Sequence, residues 1–234
     1  MSALIIDIET VGEDFDDLDE ITQKNLMRSV ERGVKDSDDL ETMGQEMRDG
    51  LGLSPLTGEI VALGVLDSNT EQGAVYYQAP GEDHEDSEER GCKLKALPEK
   101  EILEKFWELA KKYDTFVTYN GRGFDIPYIL IRSAVHKIRP SKDLMSNRYV
   151  SMQRGAVHID LMDQLSFYGA VWKKPSLHLY CRAFGIDSPK DGMCGSEVGQ
   201  YFKDKRYLEI AKYNIGDIVA TDRLYKHWKQ YIRV

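Results

Sequence analysis

The chain has 234 residues, 41% of them hydrophobic and 30% charged, which suits a folded domain and excludes a mostly disordered polymer. No run approaches the ~18 apolar residues that would span a bilayer, so no membrane partner is expected. The net charge of −9 argues against a uniformly basic nucleic-acid coat, and three cysteines, Cys92, Cys181 and Cys194, suit a reducing cytoplasm better than a disulfide framework.

Residues 3–8, ALIIDI, are short, β-branched and apolar, and predict a strand. The run is interrupted by Asp7 and Glu9, unlike a secretory signal. Residues 13–50 are polar and acidic and predict one or two surface helices. Strands follow at 59–68 and 73–79, close enough to pair antiparallel. Residues 81–92, GEDHEDSEERGC, have no apolar periodicity and read as an acidic loop. Pro98 then opens a helix whose Ile102, Leu103, Phe106, Trp107 and Ala110 recur at three- and four-residue steps. A fourth strand is expected at 115–119, a turn at Asn120–Gly123, a helix at about 126–137 and a fifth strand at 157–161. The rest predicts helices at about 161–168, 176–184, 195–203 and 205–230. This order predicts a single α/β domain with a mixed central sheet flanked by helices.

Charge is unevenly spread. Residues 12–49 carry a net of −8 and residues 81–92 a net of −5, which leaves the remainder at +4. Segments at about 12–52 and 81–92 therefore read as acidic insertions, a candidate surface for a protein partner. Residues 139–182 hold seven bases against three acids, so a phosphate-bearing partner stays compatible with the acidic total.

Four carboxylates stand at suggestive positions. Asp7 and Glu9 are two apart on the first strand and project to one face. Two like charges held together there are costly unless a cation joins them. Asp125 lies where the fourth strand meets its helix, a place where α/β sheets gather ligand sites, although an aspartate there also caps helices. Tyr213 and Asp217 are four apart on the last helix and share a face.

Asp7-Ile8-Glu9-Thr10, Asn120-Gly121-Arg122-Gly123-Phe124-Asp125 and Tyr213-Asn214-Ile215-Gly216-Asp217 together resemble the three exonuclease motifs of the DEDD superfamily. The tyrosine four residues before the last aspartate resembles the tyrosine subclass. The closest likeness is to predicted stand-alone 3′–5′ exonucleases related to the proofreading domain of family-B DNA polymerases. The resemblance implies a ribonuclease H-like fold and two divalent cations, Mg2+ or Mn2+, bound by Asp7, Glu9, Asp125 and Asp217. It also implies that Tyr213 orients the attacking water and that the product is a nucleoside 5′-monophosphate. The implied partner is a nucleic acid with a free 3′ end, single-stranded and with DNA favoured. A non-catalytic binding module on the same fold, acting in replication or repair, is the alternative.

Thr10, Asn120, Phe124, Lys173 and Lys174 are candidate substrate contacts. Turn formation competes for Asn120 and core packing for Phe124. Lys173 and Lys174 belong to a basic and aromatic cluster with Tyr168, Trp172, His178 and Arg182, and such clusters track single strands. The competing reading is a solvated loop. Asp160 is expected to cap the helix after the fifth strand, with support of a metal site as the sharper alternative. His158 and His178 are expected to be ordinary polar residues.

Overall fold

A computed structural model describes residues 2–33, 37–187 and 193–233. Seven strands form one sheet: β1 (Ala3–Gly12), β2 (Gly58–Asp67), β3 (Gly73–Tyr77), β4 (Ser87–Glu89), β5 (Cys92–Ala96), β6 (Thr115–Thr118) and β7 (Val157–Asp160). Their spatial order is β4-β5-β3-β2-β1-β6-β7. β1 pairs antiparallel with β2 and parallel with β6, and β3 is antiparallel to β2. The sheet is mixed, as its sequence order implied, and has the ribonuclease H-like arrangement.

Alternation along β1 builds two cores. Ala3, Ile5 and Val11 pack in one buried cluster, with α8 (Tyr207–Tyr231). Leu4, Ile6 and Ile8 pack in the other, with α3 (Glu99–Ala110) and α4 (Asp125–Val135). A period of two thus sends Asp7 and Glu9 toward the α8 layer, away from α3 and α4. The β1–β2 register shifts between Glu9 and Thr10 and then continues to Gly12, so the irregularity falls directly beside the two acids.

α3 shows the expected stripe, with Ile102, Leu103, Phe106, Trp107 and Ala110 all buried. The Trp107 indole donates to Ser133 Oγ on α4 at 2.8 Å. Glu99, at the start of α3, is buried but accepts from the Ile60 amide, from Arg132 and from a contact with His136. Its charge is thereby compensated, as burial of a carboxylate requires.

The acidic segment after β1 contains α1 (Glu20–Gly33) and α2 (Ser37–Asp49); its residues 34–36 lie outside the described residues. A short 3-10 turn at Gly50–Leu53 returns the chain to the sheet. There Gly52 carbonyl accepts from Thr10 Oγ1 at 2.7 Å and from the Tyr128 hydroxyl at 3.2 Å.

Residues 81–92 differ from the expected loop. Residues 87–89 form β4, and β5 lies beyond them, antiparallel to β4 and parallel to β3. Backbone pairing with β5 replaces the missing apolar pattern. Lys212 on α8 meets Glu89 at 2.9 Å, which places a cation against this acidic edge.

The later helices are α5 (Leu161–Leu165), α6 (Leu177–Phe184), α7 (Val198–Lys203) and α8. α5 is shorter than expected, because Phe167 and Tyr168 adopt positive φ of 50° and 57°. Among the described residues no helix is long and apolar enough to cross a membrane.

Candidate metal centre

β1 and α8 bring together residues more than two hundred positions apart. One oxygen each from Asp7, Glu9 and Asp217 lies within 4.8 Å of the others. They line a cavity of about 230 Å³ together with Ile8, Tyr119, Ser176, Leu177, His178 and Tyr213. The Tyr213 hydroxyl is hydrogen-bonded to Asp217, and burial together with the nearby carboxylates pushes its pKa further above the ordinary phenol value. It is a phenol at neutral pH, able to donate a hydrogen bond and unable to serve as a free base.

The acids are costly to ionise together without a counter-charge. Burial raises the Asp7 pKa well above the carboxylate range, and Asp217, Asp125 and Glu9 add repulsion. Burial and Asp217 do the same to Glu9, opposed by a hydrogen bond from Asn214. Hard oxygen donors gathered this tightly suit magnesium or manganese. The residues present fit a divalent ion.

Asp125 stands next to this trio and outside it. It begins α4, and its Oδ1 accepts the Ile8 amide at 3.1 Å, so it ties the second motif to the strand between Asp7 and Glu9. Its side chain does not cap the helix; the cap position is Phe124, with no side-chain hydrogen bond. Burial raises Asp125 to about 7, against the lowering effect of its backbone hydrogen bonds, with Asp160 and Asp217 adding repulsion.

Asp160 has two jobs. It caps α5 through the Met162 amide, as expected. It also accepts the amides of Asn120 and Arg122, both at 2.9 Å. One carboxylate at the end of β7 therefore braces the turn that delivers Asp125. Asn120 itself has φ of 64°, and its carbonyl accepts the Gly123 amide at 2.9 Å, so it serves the turn. Phe124 leans on the second core and meets the Tyr128 ring at 5.5 Å.

The other expected contacts are spread more widely. Thr10 gives its hydroxyl to Gly52. Lys173 and Lys174 are exposed on the segment that leads to Ser176. His158 is buried between Thr118 Oγ1 and Leu144 carbonyl, in keeping with an ordinary polar role. His178, a member of the basic and aromatic cluster, lines the cavity.

Asn214 lies within the third motif, where its sequence position gives it no role of its own. Its Nδ2 donates to Asp7 at 2.8 Å and reaches Glu9 at 3.4 Å. Its Oδ1 is buried without a partner and points at Gly64, where an added Cβ would sit 2.0 Å away. Gly64 is the β2 residue paired with Asp7. The absent side chain at Gly64 is what lets Asn214 reach both acids. Tyr119 also joins the site, with no signal in its local sequence, and so do Ser176 and Leu177, which follow Lys173 and Lys174 of the basic cluster.

Residues 64–232 match a family model described as a predicted 3′–5′ exonuclease related to the exonuclease domain of PolB. The match contains Asp125, Tyr213 and Asp217; Asp7 and Glu9 precede it and join them through the fold. The chain is 39% identical over 141 residues to a DNA polymerase of Methanocaldococcus jannaschii, covering 56% of this chain and 8% of that protein. It is 26% identical over 146 residues to a DNA polymerase of Thermococcus gorgonarius, covering 56% of this chain and 18% of that one. The chain thus spans less than a fifth of these relatives. The family B DNA polymerase of Pyrobaculum calidifontis superposes with a TM-score of 0.59 at 19% identity, over 98% of this chain and 24% of that one.

Proposed function

The chain belongs to the family of predicted 3′–5′ exonucleases related to the exonuclease domain of PolB, and from that premise we propose that it hydrolyses single-stranded nucleic acid, DNA by preference, from the 3′ end to nucleoside 5′-monophosphates. The observation that carries the reading is the convergence of Asp7, Glu9 and Asp217 in one cavity with Tyr213.

Asp7, Glu9 and Asp217 would hold a divalent cation, Mg2+ or Mn2+, and Asp125, which stands next to them, would contribute to a second. Bound divalent ions supply an acidified water and a counter-charge for the leaving oxygen. Tyr213, a phenol whose single hydrogen is given to Asp217, would orient the attacking water by accepting a hydrogen bond from it. Asn214 keeps Asp7 and Glu9 at a fixed separation before any cation arrives. Asp160 and Asn120 hold the turn so that Asp125 faces the same end of β1. Lys173 and Lys174 follow the phosphates of the incoming strand. Four carboxylates repel a polyanion; two dications bring the formal charge of the site to zero and permit its approach.

End-labelled single- and double-stranded DNA and RNA, incubated with Mg2+, Mn2+ or chelator, test the reading. Stepwise loss of mononucleotides from single-stranded 3′ ends is expected with either metal and none with chelator. Asp7→Ala is expected to lose about a thousandfold or more in kcat with its fold intact, since it removes a carboxylate from the cluster that would hold the cation. A purified Asp7→Ala protein of full activity would reject the assignment.

A further inference from the structure

Four large apolar side chains are exposed on the two segments that flank β7: Tyr149 at 48%, Met152 at 64%, Phe167 at 59% and Trp172 at 83%. They sit on two loops that are locked together. Tyr168 Oη accepts from the Val150 amide at 3.3 Å and from Gln164 Nε2 at 2.8 Å, and the Tyr149 and Tyr168 rings meet at 4.8 Å. The neighbouring Phe167 and Tyr168 both have left-handed backbones, with φ of 50° and 57°. Neither is a glycine, so a strained turn is being kept with an aromatic ring turned outward. The chain then runs through Trp172, Lys173 and Lys174 to Pro175, whose carbonyl accepts the Tyr119 hydroxyl. Tyr119, Ser176, Leu177 and His178 line the cavity itself. Phe167 and Trp172 therefore lie on a segment that is anchored to Tyr119 and runs directly into the cavity lining.

Charge selects the occupant. In a chain of net −9, residues 139–182 hold seven bases against three acids. Lys173, Lys174 and Arg154 are exposed on the same two segments as the rings. Flat rings interleaved with cations match a chain that alternates bases with phosphates. An apolar protein face would leave the lysines unsatisfied.

We infer that Phe167 and Trp172 form a stacking platform for unpaired bases upstream of the 3′ terminus, so that the enzyme grips several nucleotides of single strand. This rests on the exonuclease reading above. Stacking on a ring is sequence-tolerant, because every base presents a π-face. The platform therefore sets strandedness and minimum length and is indifferent to base identity.

The test is anisotropy of a 5′-labelled, phosphorothioate-linked (dT)8 in Mg2+ at low salt. Wild type is expected to bind, and a Phe167→Ala/Trp172→Ala double variant of unchanged melting temperature to bind about tenfold more weakly or worse. Phe167→Tyr/Trp172→Phe, which keeps both rings, is expected to stay within about twofold of wild type. Equal affinity of wild type and the alanine variant overturns the platform and assigns the rings to a protein contact; absence of binding by wild type overturns it as well. Hydrolysis of thymidine 5′-(p-nitrophenyl phosphate) by wild type probes the metal centre with a single nucleotide. Its failure would strike the exonuclease reading, while the difference in anisotropy between wild type and the alanine variant would still decide the platform.

Discussion

A single amide holds the centre together. Asn214 Nδ2 touches both Asp7 and Glu9, and groups that orient metal ligands typically contribute 10–100-fold to affinity or rate. Asn214→Ala is therefore expected to raise the Mn2+ concentration for half-maximal activity by at least about tenfold, read by metal titration of the rate. Gly64→Ala should produce a similar loss from the other side of the contact, since its methyl would enter the space of Asn214 Oδ1. The two substitutions share one mechanism and cannot add. In the Asn214→Ala background, Gly64→Ala should cost little further metal affinity; full additivity would show that Gly64 acts elsewhere. Asp7, Glu9, Tyr213 and Asp217 stand out in the sequence because spacing puts each pair on one face and because their motifs resemble those of a nuclease family. Asn214 and Gly64 do not, because an asparagine and a glycine acquire meaning only from what lies opposite.

At the level of elements, β7 is fastened by a histidine that must stay neutral. Burial holds the His158 pKa down to about 4, despite a hydrogen bond to Leu144. A carbonyl only accepts, so Nδ1 carries the proton toward Leu144 and Nε2 accepts from Thr118. Because the folded value lies below the ordinary 6.5, the unfolded chain takes up the proton first as pH falls. This contribution is complete above pH 6.5 and is lost as pH drops toward 4. Chemical denaturation at pH 7.5 and 5 is expected to show wild type losing about 2 kcal/mol more than His158→Gln. An equal loss in both proteins would mean that His158 does not control acid stability. The same strand shows how far pattern reaches. β1, β2, β3, β6 and β7 announce themselves by apolar, β-branched runs. β5, Cys-Lys-Leu-Lys-Ala, alternates cleanly but is short, lysine-rich and hidden behind an acidic stretch. β4 has no apolar residue at all; its strand character comes from pairing with β5, a tertiary fact. The positive φ at Phe167 and Tyr168 that cuts α5 short is likewise invisible, since the local sequence Ser-Phe-Tyr-Gly offers a breaker only at its end.

Across the whole molecule, the proposed ligands join the first strand to the last helix, so a bound cation ties the two ends of the fold. Without it, the acids stand against one another in a buried place, and repulsion works against the native state. A ligand that binds only the folded chain stabilises it by mass action. At about a hundred times its Kd, Mg2+ or Mn2+ should add ~2.7 kcal/mol, which for a chain of this size is a rise of about 5–10 °C in melting temperature. Asp217→Ala removes one ligand and one of the repelling charges together. Its metal-induced shift should disappear, while its metal-free melting temperature stays level with wild type or rises slightly. Differential scanning calorimetry with and without chelator separates these effects. If Asp217→Ala kept the full metal-dependent shift, the cation would be bound elsewhere and α8 would have no part in holding it; if wild type showed no shift at saturating metal, the convergence of β1 and α8 would owe nothing to a cation.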